Sequence, residues 1–259
     1  FIGDNYHNVS HASVDVVELS PSGRKGRHQG DVLMEAVLPT STGHKVKLAS
    51  DKVAHKGTLL NISTPRWGHG ARGMLWEDDY PYVSQWGRYP AAESYFAAAY
   101  EKRRQRLGVR SRFHGHGGTI FPNFSWSTGR CSLAVWHPRG PDSTEVWRWT
   151  LVPKDAPAEV KDAMYHYAMT YQGPSGLTEQ DDMENWNYGH EGCASPRARM
   201  FPFNYELGSE PDSKLLADWG LRESHVGAGI SEINQRGYFT HWNDRMATGR
   251  ANGGNGGAR

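Results

Sequence analysis

Three side chains near the start of the sequence have the types and spacing to hold a metal ion. Asp4, His7 and His11 lie in the run Gly3-Asp4-Asn5-Tyr6-His7-Asn8-Val9-Ser10-His11. Steps of three and four residues put all three on one face of a helix. Two imidazoles one turn apart can bind the same ion, and a carboxylate one turn earlier can hold the far nitrogen of a ligand His. The same run also reads as a polar helix start with two exposed His. A second, acidic cluster stands far along the chain: Glu179-Gln180-Asp181-Asp182-Met183-Glu184, after Gly173-Pro174-Ser175-Gly176. Carboxylates there suit the positive end of a helix. One of them can equally complete a metal site with the distant His pair. Two His and one carboxylate on one side of an ion, with open positions opposite, form the donor set of non-haem Fe(II) oxygenases, where O2 and substrate must meet.

Elements must bring these groups together. Residues 5–17 predict a helix and 20–30 a loop. Val46 to Leu60 alternates in patches and predicts one or two strands; Gly68 to Leu75 predicts another, rich in small residues. Pro90 to Leu107 is a strong helix, with Pro in its first turn, several Ala, a basic last turn and Gly108 after it. Strand-like runs follow at Gly118–Trp126, Cys131–His137 and Thr144–Val152, separated by turn residues as in an antiparallel meander. Further helices are expected over 156–171, 179–187 and 230–246. Strands grouped together, with helices before and after, point to an α+β fold rather than alternating βαβ.

Composition narrows the classes. The 259 residues are 37% hydrophobic and 12% aromatic, enough for a substantial core, so disorder is excluded as the overall state. A net charge of +1 argues against a dedicated nucleic-acid binder. No run approaches the roughly eighteen consecutive apolar residues of a membrane-spanning helix. Cys131 and Cys193 allow one disulfide but no disulfide framework, so a cytoplasmic setting is expected. The one G-x-G-x-x-G string, Gly68 to Gly73, lies within a predicted strand and opens no helix, and no Walker-type loop or G-x-S-x-G elbow occurs, which leaves nucleotide binding and nucleophilic hydrolysis without support.

With these residues in view, the chain resembles the catalytic domain of the large (α) subunit of Rieske non-haem iron aromatic ring-hydroxylating dioxygenases. The resemblance runs nearly end to end. It rests on Gly3-Asp4-x-Tyr6-His7…His11, Ile120-Phe121-Pro122-Asn123-Phe124-Ser125, Val135-Trp136-His137-Pro138-Arg139-Gly140-Pro141-Asp142 and Trp147-Arg148-Trp149. It continues through Ala156-Pro157-Ala158-Glu159-Val160-Lys161, Gly173-Pro174-Ser175-Gly176, Glu179-Gln180-Asp181-Asp182-x-Glu184-Asn185-Trp186 and Ser231-Glu232-Ile233-Asn234-Gln235-Arg236-Gly237. The fold it implies is a large curved antiparallel sheet with covering helices, of the helix-grip type. It implies His7, His11 and Asp182 as ligands of Fe(II), and Asp4 as the residue bridging to the Rieske cluster of a neighbouring subunit. Asp181, Glu179 and Glu184 would then be supporting or capping groups. The implied reaction is O2-dependent cis-dihydroxylation of an aromatic hydrocarbon or aromatic acid, with electrons from NAD(P)H through a reductase, in some members a ferredoxin, and a [2Fe–2S] Rieske cluster. The implied partners are other α subunits in a trimer and, in some members, a small β subunit; no nucleic acid or membrane is among them.

Two positions depart from the family pattern. Only Asn8, Val9 and Ser10 separate the two His, a shorter spacer than usual, and Thr178 stands where many members have an aromatic residue. The Cys-x-His and Cys-x-x-His motifs of a Rieske centre are absent. With Phe1 rather than Met at the start, the expectation is residues 1–250 as the iron domain, a Rieske domain upstream, and 251–259 as a flexible Gly-rich tail.

Phe1, Asn5, Asn8, Phe121, Asn123 and Thr178 lie in or beside the motifs and are candidates for lining the substrate pocket, as is Ile2. His114 and His116, alternating on a strand, would aim to one side, for pocket lining or structure rather than metal. His69 between glycines is a candidate to face the cavity; His137, His166, His190, His225 and His241 read as ordinary core or surface residues. Rival readings are a monooxygenase or demethylase on the same scaffold, a non-catalytic protein of this fold binding an apolar ligand, and a zinc hydrolase.

Overall fold

The computed structural model describes residues 44–47, 54–76, 89–128, 131–208, 223–229 and 231–253. Among these residues, eight strands form one antiparallel sheet: β1 (His44–Lys47), β2 (Ala54–Thr64), β3 (His69–Trp76), β4 (Phe113–Ile120), β5 (Phe124–Ser127), β6 (Ser132–Gly140), β7 (Ser143–Thr150) and β8 (His225–Ala228). Strands β1 to β7 follow one another in sequence order across it, so the expected meander is present and longer than predicted. The edge of β2 away from β3 is shared: β1 pairs with its start and β8 with residues 60–63.

The alternation of β2 sorts its side chains. Leu60 and Ile62 join Val226 of β8 in a buried cluster with Ala71, Leu75 and Phe113 around it. Asn61 and Ser63, on the opposite face, meet the start of the last helix. The Asn61 side-chain amide donates to the carbonyls of Ser231 (3.0 Å) and Gly229 (3.3 Å), tying that helix to the sheet centre.

Among the described residues, four helices accompany the sheet: α1 (Pro90–Leu107), α2 (Ala158–Gln172), α3 (Leu177–Ala194) and α4 (Ile233–Gly253). Helix α1 has the predicted bounds. Gly108, at φ +54°, ends it, and the Arg103 guanidinium donates to the carbonyls of Ser111 (2.9 Å) and Phe113 (2.8 Å), which fastens it to the start of β4. Ala92 of α1 and Val160, Ala163 and Met164 of α2 form the buried helix–helix contact. Helix α4 lies over β2, β3 and β8.

Three expectations need correction. The run 118–126 is two strands rather than one, because Pro122 has no N–H for a ladder and the chain turns through residues 121–123. Helix α3 spans 177–194, twice the length expected from its acidic start, since its second half is polar and exposed and carries no apolar periodicity to read. Helix α4 continues past Met246 to Gly253. The predicted helix over 5–17 and loop over 20–30 lie outside the described residues.

Candidate metal centre

The third proposed ligand sits on α3. The turn that launches this helix depends on close backbone approach. A Cβ at Gly173 would lie 2.5 Å from the Met169 carbonyl, and one at Gly176 would lie 2.7 Å from the Gly173 nitrogen. Only glycine fits both positions. Thr178 follows, buried, with its hydroxyl donating to the Tyr171 carbonyl (2.8 Å), so it locks the first turn of α3 onto the end of α2.

Residues 179, 182 and 186 recur at three and four and share one face of α3. That face meets the sheet at both ends. Glu179 pairs with Arg148 of β7 at 2.5 Å, both side chains largely buried. Trp186 packs edge-on against Trp136 of β6, with ring centroids 5.1 Å apart. Asp182 lies between these two anchors and is 7% exposed. A carboxylate is a hard oxygen donor suited to Fe(II), and its helix is held to two strands, so the donor is pre-positioned.

The 121–123 turn is linked to the same region through Trp136. Its N–H donates to the Asn123 carbonyl (2.9 Å), its own carbonyl accepts from the Asn123 amide (2.9 Å), and its indole N–H donates to Ser125 (2.8 Å). Phe121 is half-buried against α4, edge-on to His241 (4.7 Å) and tilted to Tyr238 (5.2 Å). The Phe121 N–H donates to Nδ1 of His69 (3.0 Å). A contact chain thus runs from the helix carrying Asp182, through Trp186 and Trp136, to the turn carrying Asn123 and Phe121.

Asp182, Thr178, Phe121 and Asn123 are therefore described. Phe1, Asp4, Asn5, His7, Asn8 and His11 lie outside the described residues. Among the described residues, no three His, Cys, Asp or Glu converge in a way that could hold an ion. The carboxylate chemistry of Asp182 suits Fe(II), and the resemblance gives His7 and His11 as the ligands expected beside it.

The structure revises the reading of several other residues. His114 and His116 do not act as an alternating pair. His116 is the extra residue of a bulge opposite Arg72 and Gly73; it is exposed, while His114 is half-buried among Trp76 and Tyr100. Burial and the nearby Arg103 guanidinium push His114 down to about 4. His241, read as an ordinary core or surface residue, is a core residue, buried against Phe121. Arg148 carries a role that sequence reasoning misses: Trp147 and Trp149 are exposed rather than core, and alternation along β7 turns Arg148 to the other, buried face. Cys131 and Cys193 are free thiols, and burial raises the Cys131 thiol.

A broad antiparallel meander, with an acidic helix face clamped onto its later strands, defines an α+β domain built to present buried carboxylates at the sheet surface. The family profile described as ring hydroxylating alpha subunit (catalytic domain) matches residues 5–248, and the chain belongs to that family. It is similar to the biphenyl dioxygenase subunit alpha of Paraburkholderia xenovorans, 34% identical over 216 residues, which cover 78% of this chain and 44% of that protein. It is also similar to the large oxygenase component of the naphthalene 1,2-dioxygenase system of Pseudomonas putida, 29% identical over 253 residues, covering 92% of this chain and 48% of that one. Among solved structures, naphthalene 1,2-dioxygenase from Rhodococcus sp. bound to indole matches with a TM-score of 0.63 and 25% identity, over 95% of this chain and 51% of that chain. The chain thus spans less than half the length of these two curated relatives. Among the described residues, no helix is long and apolar enough to cross a membrane.

Proposed function

We propose that this chain is the iron-bearing domain of an aromatic ring-hydroxylating dioxygenase, with His7, His11 and Asp182 as the protein ligands. The observation that carries this reading is the family match over residues 5–248, which spans both His and the carboxylate. The buried position of Asp182, between the Glu179–Arg148 pair and the Trp186–Trp136 contact, supports it. Fe(II) bound there supplies the electron transfer to O2 that an aromatic ring alone does not undergo. The chain's own residues do the rest. Arg148 and Glu179 fix the rotation of α3 and so the direction of the Asp182 carboxylate. Asp4 orients a ligand His and takes the bridging position toward a Rieske cluster. Phe1, Asn5, Asn8, Phe121, Asn123 and Thr178 shape the pocket, with Thr178 acting through its clamp on Tyr171.

The reaction we assign is cis-dihydroxylation of an aromatic hydrocarbon or acid, the class suggested by the biphenyl and naphthalene enzymes it resembles. Electrons come from NAD(P)H through a reductase, with or without a ferredoxin, and a [2Fe–2S] Rieske domain. Other α subunits, with or without a small β subunit, are the proposed partners, in a cytoplasmic setting consistent with two free thiols.

Anaerobic reconstitution with Fe(II) followed by metal analysis tests the assignment. Iron near one per chain is expected in the wild type. Loss of that iron is expected in both His7→Ala and Asp182→Ala, with unchanged circular dichroism. Iron retained by both variants, or selective zinc uptake without O2 consumption, would overturn it. Product analysis of the assembled system then distinguishes a cis-diol from a monooxygenated or demethylated product.

A further inference from the structure

We propose that His69 is the proton-sensitive half of a clasp that holds the 121–123 turn against α4. The turn is gripped from two sides. From β3, the unprotonated Nδ1 of His69 accepts the Phe121 N–H (3.0 Å). From α4, the Tyr238 hydroxyl donates to the Pro122 carbonyl (3.1 Å), and the Phe121 ring lies edge-on to His241 and tilted to Tyr238. Gly68, at φ +66°, lets the strand start this close: a Cβ there would sit 3.0 Å from His241 and 3.1 Å from Phe121.

A ring nitrogen accepts from a backbone amide only without its proton. Once protonated it is a donor, and two donors face each other. The Phe121 contact is therefore incompatible with an imidazolium at His69. The surroundings oppose that charge as well: burial, and then His241, hold His69 below the ordinary His range. The titratable and charged groups around it are Tyr238 and His241 on α4, with Arg245 Nε 3.5 Å from His241 Nε2. On the adjoining 65–67 turn, Arg66 is paired with Glu223 at 3.2 Å.

The sign follows. With the turn released, His69 titrates near its ordinary value of about 6.5. With the turn held, it titrates lower. The closed clasp is fully favoured above about 6.5 and loosens as pH falls, by up to about tenfold per pH unit for one proton, until the lower value is passed. The turn carries Phe121 and Asn123. That acid loosens the substrate pocket rests on the reading above; the clasp itself does not.

Hydrogen exchange read by mass spectrometry on the full-length protein tests it, following the peptide that contains Phe121 and correcting for the intrinsic pH dependence of exchange. Protection at Phe121 is expected to fall between pH 7 and pH 5 in the wild type. In His69→Asn, whose amide oxygen accepts the same N–H and does not titrate, protection is expected to stay level. Tyr238→Phe keeps the His69 grip, so it should retain the pH response from a lower baseline. A level wild-type profile, a His69→Asn profile that follows the wild type, or a Tyr238→Phe profile without pH response overturns the clasp. Turnover of an aromatic substrate by the assembled system, with its Rieske domain and reductase, separates the two ideas. A level exchange profile with normal turnover defeats only the clasp, and the expected profile with no oxygenated product defeats only the catalytic reading.

Discussion

Arg148 and Glu179 show how one ion pair can set the position of a neighbouring group. Both side chains are largely buried, at 15% and 11% exposure, so neither charge is well solvated without the other. A buried pair adds little net stability over an apolar pair, but removing one partner strands the other. Arg148→Leu is therefore expected to destabilise the domain by about 3 kcal/mol in urea unfolding, with Arg148→Leu/Glu179→Leu recovering most of the loss. If the single variant lowers iron retention more than the double variant does, the pair is acting on the Asp182 carboxylate through the rotation of α3. The acidic cluster was legible in the sequence as a site for a metal or a helix dipole. Which carboxylate faced the sheet was not, because that depends on a strand residue 31 positions earlier.

At the scale of elements, small residues decide where strands meet bulky neighbours. Gly118 of β4 stands opposite Trp126 of β5, and a methyl group on it would overlap the Trp126 indole. The indole covers the glycine and supplies the packing that position lacks. Gly118→Ala is expected to cost roughly 1–3 kcal/mol, the usual range for an overpacked core, measured as a lower unfolding midpoint. Gly118→Ala/Trp126→Leu should be less destabilised than the sum of its two single changes, since the smaller side chain makes room. Helix α1 was legible to the residue because its Pro, Ala run and closing Gly are local signals. The split between β4 and β5 was partly visible in Pro122. The bulge at His116 was invisible, because it arises only when β4 is laid against β3.

For the molecule as a whole, pH should act through His114 as well as through the turn beside α4. His114 is pushed down to about 4 in the folded chain, first by burial and then by Arg103. The unfolded chain takes up that proton near pH 6.5. Its contribution to stability is thus full above about 6.5 and is lost progressively as pH falls toward 4. Urea midpoints measured across this window should decline with acidity, and His114→Gln should flatten the decline. The sequence by itself determined the α+β class, helix α1 and most of the strand order, which are written in short-range patterns, and its motifs, in their order along the chain, mark the family; that resemblance, not spacing, singled out Asp182 within the acidic cluster. The tertiary structure alone decided which groups meet: the helix face of Glu179, Asp182 and Trp186 against Arg148 and Trp136, His69 and His241 around Phe121, Asn61 beneath the start of α4. Those meetings join residues far apart in sequence. They exist only once the sheet has closed its register and the helices have buried their faces against it.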